Sequence, residues 1–477
     1  MACCEEKPAV IDRRYSVFVS YVNLGTMIVM KFGGTSVEDA AAIERSCSIV
    51  AERVSRKPFV VVSALGGATN GLLEAGALAA RGEVRKATAI ATALERRHAE
   101  LLPSAAEHFV RLRELLKALS AIGEFSFRTQ DLIASYGEAL SSLIFTDRLK
   151  RMGFDAIHLD ARQCMITDDN FGKAAPLMDR TTARLEEMAI PHLDASRVVV
   201  MGGYIGSTTS GTTTTLGRGG SDYSAAIVGA TLNAEEIEIW TDVDGMMTAD
   251  PRIVSGASKV KEISFDEASE LAYFGAKVLH PLTVLPAVEK NIPVYILNSK
   301  KPKGTGTRIT REARPCRNVI KSIAYKRGIT VVTVSSSRML MAHGFLKALF
   351  EVFDRHRTSV DMVATSEVSV SLTLDNVSSL NAIVEDLRPL GDVEVASTMT
   401  LICLVGSNLK YTPGVARRAF TSISDINILM VSHGASNINF SFIVDEKDTD
   451  AAIQKLHADF FHEIDPEVFE PPGKMGT

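Results

Sequence analysis

Residues 31–37 read KFGGTSV and follow the apolar run MIVM at 27–30. A short buried strand here runs into two glycines, then a Thr-Ser pair, then a helix-like stretch over about 37–52. Gly33 and Gly34 let backbone approach a ligand closely, and the amides that open a helix favour anions. Lys31, at the strand end, adds a mobile positive charge. The combination suits the phosphates of a nucleotide. It is not a Walker A loop, because the lysine precedes the glycines. Nor is it a dinucleotide fingerprint, because the third glycine is missing.

Outward from this stretch, strand-like runs at 27–32, 58–63, 154–159, 197–201, 236–240 and 293–297 alternate with helical patterns, notably 84–102, 105–119 and 128–150. Short continuous apolar strands between helices indicate a largely parallel sheet covered on both faces. The expected fold is α/β, a three-layer α/β/α sandwich over 27–310. Residues 300–317 are basic, rich in Pro, Gly and Thr, and lack periodicity, so they read as a linker or domain boundary. Beyond them a pattern occurs twice, in 318–396 and 397–470. Each copy reads as βαββαβ, the ferredoxin-like plan. In the first copy Phe345, Leu346, Leu349, Phe350 and Phe353 share one helical face. Two small repeats after a large α/β unit suggest a regulatory appendage.

The 477 residues allow two or three domains, and the net charge of −5 comes without a basic stripe. That excludes nucleic acid as the natural partner. No uncharged apolar run is long enough to span a bilayer. The cysteines at 3, 4, 47, 164, 316 and 403 form no CxxC pair, which fits buried thiols in a reduced cytoplasm. Residues 1–26 read as a flexible N-terminal extension, with Met27 as an alternative or true start. The apolar stretch 17–24 follows several charges and lacks a cleavage site, which argues against a signal peptide.

Four further elements carry chemistry. MGGYIG at 201–206 and the threonine run 212–215 lead into LGRGGSD at 216–222, then a helix. Ser221 or Asp222 would cap that helix, leaving Gly219 and Gly220 to present amides, while Arg218 can grip a carboxylate or phosphate. WTDVDGMMTADPR at 240–252 leaves a strand end, where open α/β sheets place ligands. Its Asp242, Asp244 and Asp250 lack the spacing and closing glutamate of a calcium loop, and Arg252 is a candidate phosphate contact. Gly137 in YGE at 136–138 sits inside a long helical pattern. It costs roughly 1 kcal/mol against alanine, so a close neighbour is expected. FGAKVLHP at 274–281 offers Lys277 and His280 near the sheet's ligand edge.

KFGGTSV, GRGGSDYSAA, WTDVDG with TADPR, and FGAKVLHP, in this order, resemble the amino acid kinase family, and within it the aspartate kinases, over about residues 27–465. The resemblance implies a sandwich fold that phosphorylates an acid group with ATP, followed by two ACT domains. It implies that Lys31, Gly33 and Gly34 meet the transferring phosphates, and that Lys31 and Asp222 are catalytic, the aspartate organising the lysine. Thr241, Asp242, Met247, Arg252, Lys277 and Val278 resemble the remaining ATP positions. Met247 stands where many relatives carry a tyrosine; a thioether also packs on a base. Ser63, Thr69, Glu138, Arg218, Gly219 and Ser221 resemble the aspartate site, with Glu138 on the ammonium and Arg218 on the α-carboxylate. Mg2+ is expected with the nucleotide, without a dedicated protein site.

The expected reaction transfers the ATP γ-phosphoryl group to the β-carboxylate of L-aspartate, opening aspartate-family amino-acid biosynthesis. A carboxylate is already ionised at neutral pH, so no general base is required and His280 reads as a cap or core residue. In the appendage, Met339, Gly344, Phe345, Leu346, Asp361, Ser366, Glu367 and Val368 resemble the effector loops of lysine-inhibited relatives. L-lysine is the expected effector, with threonine its rival. A homodimer through the ACT pairs is expected, or a dimer of dimers. The competing readings are a sibling kinase acting on glutamate, N-acetylglutamate or UMP, and a non-catalytic amino-acid sensor.

Overall fold

Every residue of β1 (Ile28–Phe32) is buried, because strands pair on both its edges and helices cover both its faces. The computed structural model of the chain describes residues 27–275, 281–339 and 343–471. After β1 comes α1 (Ala40–Ala51), capped by Asp39, whose side chain accepts the Ala42 N–H at 2.8 Å. Next are β2 (Pro58–Val62), the helices α2 (Ala68–Ala80), α3 (Val84–Leu101) and α4 (Ala105–Ile122), the long α5 (Phe127–Arg151) and β3 (Ala156–Leu159). Short elements α6 (Ala161–Cys164) and β4 (Ile166–Thr167) lead to α7 (Met178–Asp194) and β5 (Val198–Gly202). Then follow β6 (Ile205–Thr208), β7 (Thr213–Thr215), α8 (Gly220–Thr231) and β8 (Glu236–Thr241). The N-terminal unit closes with β9 (Lys259–Val260), β10 (Glu262–Ser264), α9 (Phe265–Tyr273), α10 (Leu285–Glu289), β11 (Val294–Asn298) and β12 (Thr307–Thr310).

Eight of these strands form one sheet in the order β10-β12-β11-β8-β1-β2-β5-β3, parallel except where β11 meets β12. The expected strand runs all lie in it. β10 and β12 are additional, and β12 falls inside the stretch 300–317 read as a linker or domain boundary. It is held between β10 and β11, with Thr307 and Ile309 buried. A Cβ at Gly306 (φ +62°) would stand 2.1 Å from the Ile296 carbonyl, so glycine alone allows the turn that returns the chain to the sheet.

The pleat sorts the core. Met27, Val29, Phe59, Val61, Val199 and Met201 pack with Leu185, Ala189, Ala225 and Val228 of α7 and α8. Ile28, Met30, Phe32, Val60, Val62 and Trp240 pack with Ile43, Ile144 and Phe145 of α1 and α5. Successive side chains alternate between faces, so Lys31 shares the parity of Val29 and leaves the strand on the α8 side. From β1 the sheet grows toward β2, β5 and β3; from β8 it grows the other way, toward β11 and β12. The gap between β1 and β8 is therefore the switch point, outside whose carboxyl ends a crevice opens.

The C-terminal unit is one antiparallel sheet. Its elements are β13 (Ser322–Ser335), α11 (Phe345–Arg355), β14 (Val363–Thr365), β15 (Ser369–Leu374), α12 (Leu380–Leu387) and β16 (Asp392–Val405). Then come α13 (Val415–Ser422), β17 (Ile428–His433), β18 (Asn439–Asp445), α14 (Thr449–Phe460) and β19 (Phe469–Glu470), which pairs with β9. The sheet order is β14-β15-β13-β16-β18-β17. The two copies are not simply consecutive. β13 and β16 are single long strands, broken at Gly328 (φ +73°) and Thr398 (φ +62°). Residues 331–335 pair with 392–396 inside the first copy, whereas 322–327 pair with 400–405 of the second. The strand that the second copy lacks after α14 is thus supplied from ahead of the first copy. Pairing of this kind hides edges that would otherwise stay open.

The copies also differ in packing. The first has its own core of Val332, Leu349, Phe353, Leu372 and Ile383. The second, with Phe440, Phe442, Ile453 and Leu456, is continuous with the core of the N-terminal unit. Buried Lys321 donates to Glu267 Oε2 at 2.9 Å, and Ser407 donates to Oε1 of the same glutamate at 2.7 Å. Glu267 is also the capping-box residue of α9, so one carboxylate starts that helix and docks the second copy.

Candidate active site

At the switch point Lys31 Nζ lies 2.6 Å from Asp222 Oδ1. The lysine is 8% exposed and its aspartate stands in the first turn of α8, where the helix dipole favours negative charge. The two groups are close without being aligned as donor and acceptor, so the contact is Coulombic. Gly219, in the left-handed region at φ +71°, is the N-cap of α8, and neither Ser221 nor Asp222 caps it as expected. Asp222 is left free to face the lysine.

The glycines beside Lys31 are fixed from β8. The Gly33 N–H donates to the Trp240 carbonyl at 3.0 Å. Ser36 donates to Ser299 Oγ at 2.8 Å, and Ser299 in turn donates to the Thr241 carbonyl at 3.1 Å. Arg97 of α3 donates to the carbonyls of Gly66 and Glu38, both at 2.6 Å, tying the loop after β2 to the loop after β1. A Cβ at Gly34 would stand 3.2 Å from the Ala64 carbonyl, so these loops touch through backbone. Ser36, Arg97 and Ser299 were not legible as site residues. Their partners are remote in sequence, as the 263-residue separation of Ser36 from Ser299 illustrates.

Glu138 on α5 faces the same crevice. It is 4% exposed and its Oε2 has no hydrogen-bond partner among the described residues. Burial pushes its pKa up to about 8, while the Ala64 N–H and the charge of Lys31 pull the other way. The neighbour expected of Gly137 is the loop after β2: a Cβ there would stand 2.7 Å from the Ala64 Cβ and 3.5 Å from Thr69 Oγ1. Ser63 continues β2, its N–H donating to the Phe32 carbonyl at 3.0 Å. The glycines of MGGYIG serve packing. A Cβ at Gly202 would meet the Glu138 carbonyl at 2.8 Å, and one at Gly203 would meet Ser221 Cα at 2.8 Å. Through this pair α5 and the start of α8 come together.

Arg218 is exposed and has no ion-pair partner among the described residues. In the loop after β8, Thr241 and Asp242 flank the strand end, and Met247 is half-buried, bridged to Lys259. Arg252 grips Asp250, Nε to Oδ1 at 3.0 Å and Nη2 to Oδ2 at 2.6 Å, with its side chain 83% exposed. Asp244 is taken by Asn298 at 2.5 Å and Lys301 at 2.7 Å. Lys277, Val278 and His280 lie outside the described residues, as do residues 1–26. Among the described residues no group of three His, Cys, Asp or Glu side chains is arranged to hold a metal ion.

The effector candidates gather in the first C-terminal copy. Gly344 (φ +84°) is the N-cap of α11 without a side-chain cap, followed by Phe345 and Leu346, and Met339 ends a 3-10 turn. The Ser366 N–H donates to the Ser369 carbonyl at 2.8 Å, Glu367 follows in the turn, and the Val368 carbonyl accepts the Ser336 N–H at 2.8 Å. Asp361 is already engaged: Tyr273 of α9 donates to it at 2.5 Å and Lys326 lies 3.5 Å away.

Residues 26–298 match the model of the amino acid kinase family, and residues 402–460 match an ACT domain. The chain is 38% identical over 456 residues to the lysine-sensitive aspartokinase 3 of Escherichia coli, covering 92% of this chain and 100% of that protein. Among solved structures it resembles E. coli aspartokinase III in complex with aspartate and ADP (R-state), at TM-score 0.76 and 37% identity, over 91% of this chain and 100% of that one. It also resembles that enzyme in complex with lysine and aspartate (T-state), at TM-score 0.78 and 37% identity, over 91% and 99% of the two chains.

Proposed function

The chain belongs to the amino acid kinase family, and from that premise we propose that it is an aspartokinase, transferring the γ-phosphoryl group of ATP to the β-carboxylate of L-aspartate. The observation that carries the reading is a buried cation, Lys31 on Asp222, sharing one crevice with the buried carboxyl of Glu138, whose Oε2 has no hydrogen-bond partner among the described residues.

The assignment follows from charge. Both reactants are anions, and the loose transition state of phosphoryl transfer spreads charge over three oxygens. Lys31 and the amides of Gly33 and Gly34 offset the repulsion and stabilise that charge. Asp222 aims the ammonium. Thr241, Asp242, Met247, Arg252, Lys277 and Val278 take the nucleotide along the β8 edge, with Mg2+ entering as its counter-ion. Ser63, Thr69, Gly219 and Ser221 frame the amino acid. Glu138 receives its ammonium and Arg218 its α-carboxylate, which leaves the β-carboxylate facing the phosphate. No base is needed, because the nucleophile is already ionised.

L-lysine is the proposed effector, held by Met339, Gly344, Phe345, Leu346, Asp361, Ser366, Glu367 and Val368. Two observations support this. The first turn of α11 has no side-chain cap and suits a carboxylate, and the first copy has a separate core that can shift as a body. The functional units proposed are 27–310 for catalysis and 318–396 and 397–470 for regulation. Homodimer assembly through the regulatory copies, or a dimer of dimers, belongs to the same reading. So does a cytoplasmic site: Cys47, Cys164 and Cys403 are buried free thiols. No helix of the described residues is long and apolar enough to cross a membrane.

The test is hydroxylamine trapping of the acyl phosphate formed with aspartate and MgATP, with and without lysine. Aspartyl hydroxamate that lysine suppresses is the expected result. Trapping only with glutamate, N-acetylglutamate or UMP as acceptor would reassign the chain to a sibling activity, and ligand binding without turnover would make it a sensor.

A further inference from the structure

Asp131 lies on α5 seven residues, or two helical turns, before Glu138, so both carboxylates leave the same face of the helix. It is 2% exposed, and no cation pairs with it among the described residues. Its oxygens are instead filled by neutral donors from the loop before α7 and from the end of β7, two segments that lead into loops. The Gly172 N–H reaches Oδ2 at 2.9 Å and Oδ1 at 3.1 Å. The Thr215 N–H donates to Oδ2 at 3.0 Å and the Thr215 hydroxyl to Oδ1 at 2.6 Å. The two segments also bind each other, through the Ala174 N–H and the Thr215 carbonyl at 2.9 Å. Gly217 (φ +77°) is wedged between them, since a Cβ there would stand 3.2 Å from the Gly172 carbonyl. Arg218 is the next residue.

A carboxylate without a counter-cation is a costly way to tie two segments, unless its acceptor-only character is what the site needs. The Gly172 and Thr215 N–H groups can only donate, and the Thr215 hydroxyl gives its proton to Oδ1, so an amide in place of the carboxylate loses that short bond or forces the hydroxyl to turn round and accept. The segment so fixed runs straight into Arg218 and the start of α8, which Gly203 brings against the end of β5, where Gly202 meets the Glu138 backbone of α5. We propose that Asp131 is a positioning residue for substrate recognition. It locks the 213–219 segment on α5, so that Arg218 is held at a fixed reach from Glu138 and the two groups that grip the amino-acid substrate keep one spacing. This rests on the reading above, in which Glu138 and Arg218 receive aspartate.

The experiment is steady-state kinetics of Asp131→Asn in the full chain, with aspartate and ATP varied separately. Misplacement of a binding group by about 1 Å costs up to about a hundredfold. The expected result is therefore an aspartate KM raised about ten- to a hundredfold, an ATP KM within about twofold of wild type, and a kcat at saturating aspartate that falls far less than kcat/KM. Thr215→Val, which removes only the hydroxyl donor, should raise the aspartate KM by about three- to tenfold and serves if the first variant does not fold. An unchanged aspartate KM in Thr215→Val, or equal increases in both KM values in either variant, overturns the proposal. Failure of the underlying reading looks different: the wild type itself would show no aspartate-dependent turnover.

Discussion

Raising the pH from 6 to 8 should tighten aspartate binding without speeding the chemical step. Glu138 is proposed to receive the substrate ammonium, but desolvation holds its pKa at about 8 in the free site. The binding-competent carboxylate is then a minority below that pH. Apparent affinity falls by the factor one plus the ratio of proton concentration to the acid constant. That gives about a hundredfold loss at pH 6, about elevenfold at pH 7 and about twofold at pH 8. The aspartate KM should accordingly drop about fiftyfold between pH 6 and 8 and then level, while the ATP KM and kcat change little. Initial rates at saturating MgATP measure this directly. Glu138→Gln should bind aspartate weakly at every pH with a flat profile, since an amide does not titrate. A flat aspartate KM in the wild type, or a retained slope in the variant, would refute the reasoning. Stability should move in the opposite sense. With its pKa raised from 4.5 to about 8, Glu138 supports the free fold fully below about 4.5, and that support is lost as pH rises through 8. Saturating aspartate should restore it in a thermal-shift assay.

Lys31→Ala should lower kcat by about a hundred- to a thousandfold, the scale for one preorganised charge-stabilising group, with circular dichroism unchanged; near-normal turnover would remove Lys31 from the chemistry. Gly137→Ala forces a methyl to 2.7 Å from Ala64, so a stability loss of about 1–3 kcal/mol and a raised aspartate KM are expected in denaturant and kinetic titrations. Lys321→Ala strands the buried Glu267 carboxylate; the melting transition should drop by the equivalent of about 3–5 kcal/mol, and an unchanged transition would show that this pair does not dock the two units. Tyr273→Phe removes the hydroxyl that occupies Asp361, so the half-inhibitory lysine concentration should fall about fivefold in activity titrations. No change there would mean that the effector and Tyr273 do not compete.

Much of the site was legible because it is local. KFGGTSV marks a strand end followed by backbone that can approach a ligand, and the alternation that buries Val29 sends Lys31 to the α8 face. The glycine inside YGE predicted a close neighbour, which proved to be Ala64. Misreadings share one cause. The stretch 300–317 looks like a linker or boundary because it is basic, interrupted by Pro and Gly and without periodicity, yet β11 pairs with 307–310 and draws them into the sheet. Ser221 or Asp222 looks like a cap because both residue types cap helices, but Gly219 in the left-handed region takes that position. The two repeats themselves were legible, but strand periodicity says nothing about which partner a strand will find, and 322–327 find 400–405.

The sequence by itself determined the strands, the glycine turns, the order of the motifs and the presence of Lys31, Glu138, Arg218 and Asp222. These follow from short-range periodicity and from the chemistry each residue type carries wherever it stands. Only the tertiary structure decided that Lys31 meets Asp222, that Glu138 loses its water and holds its proton, and that Asp131 gathers two segments. Desolvation and pairing across hundreds of residues belong to the assembled chain, because both depend on what the rest of the molecule brings alongside.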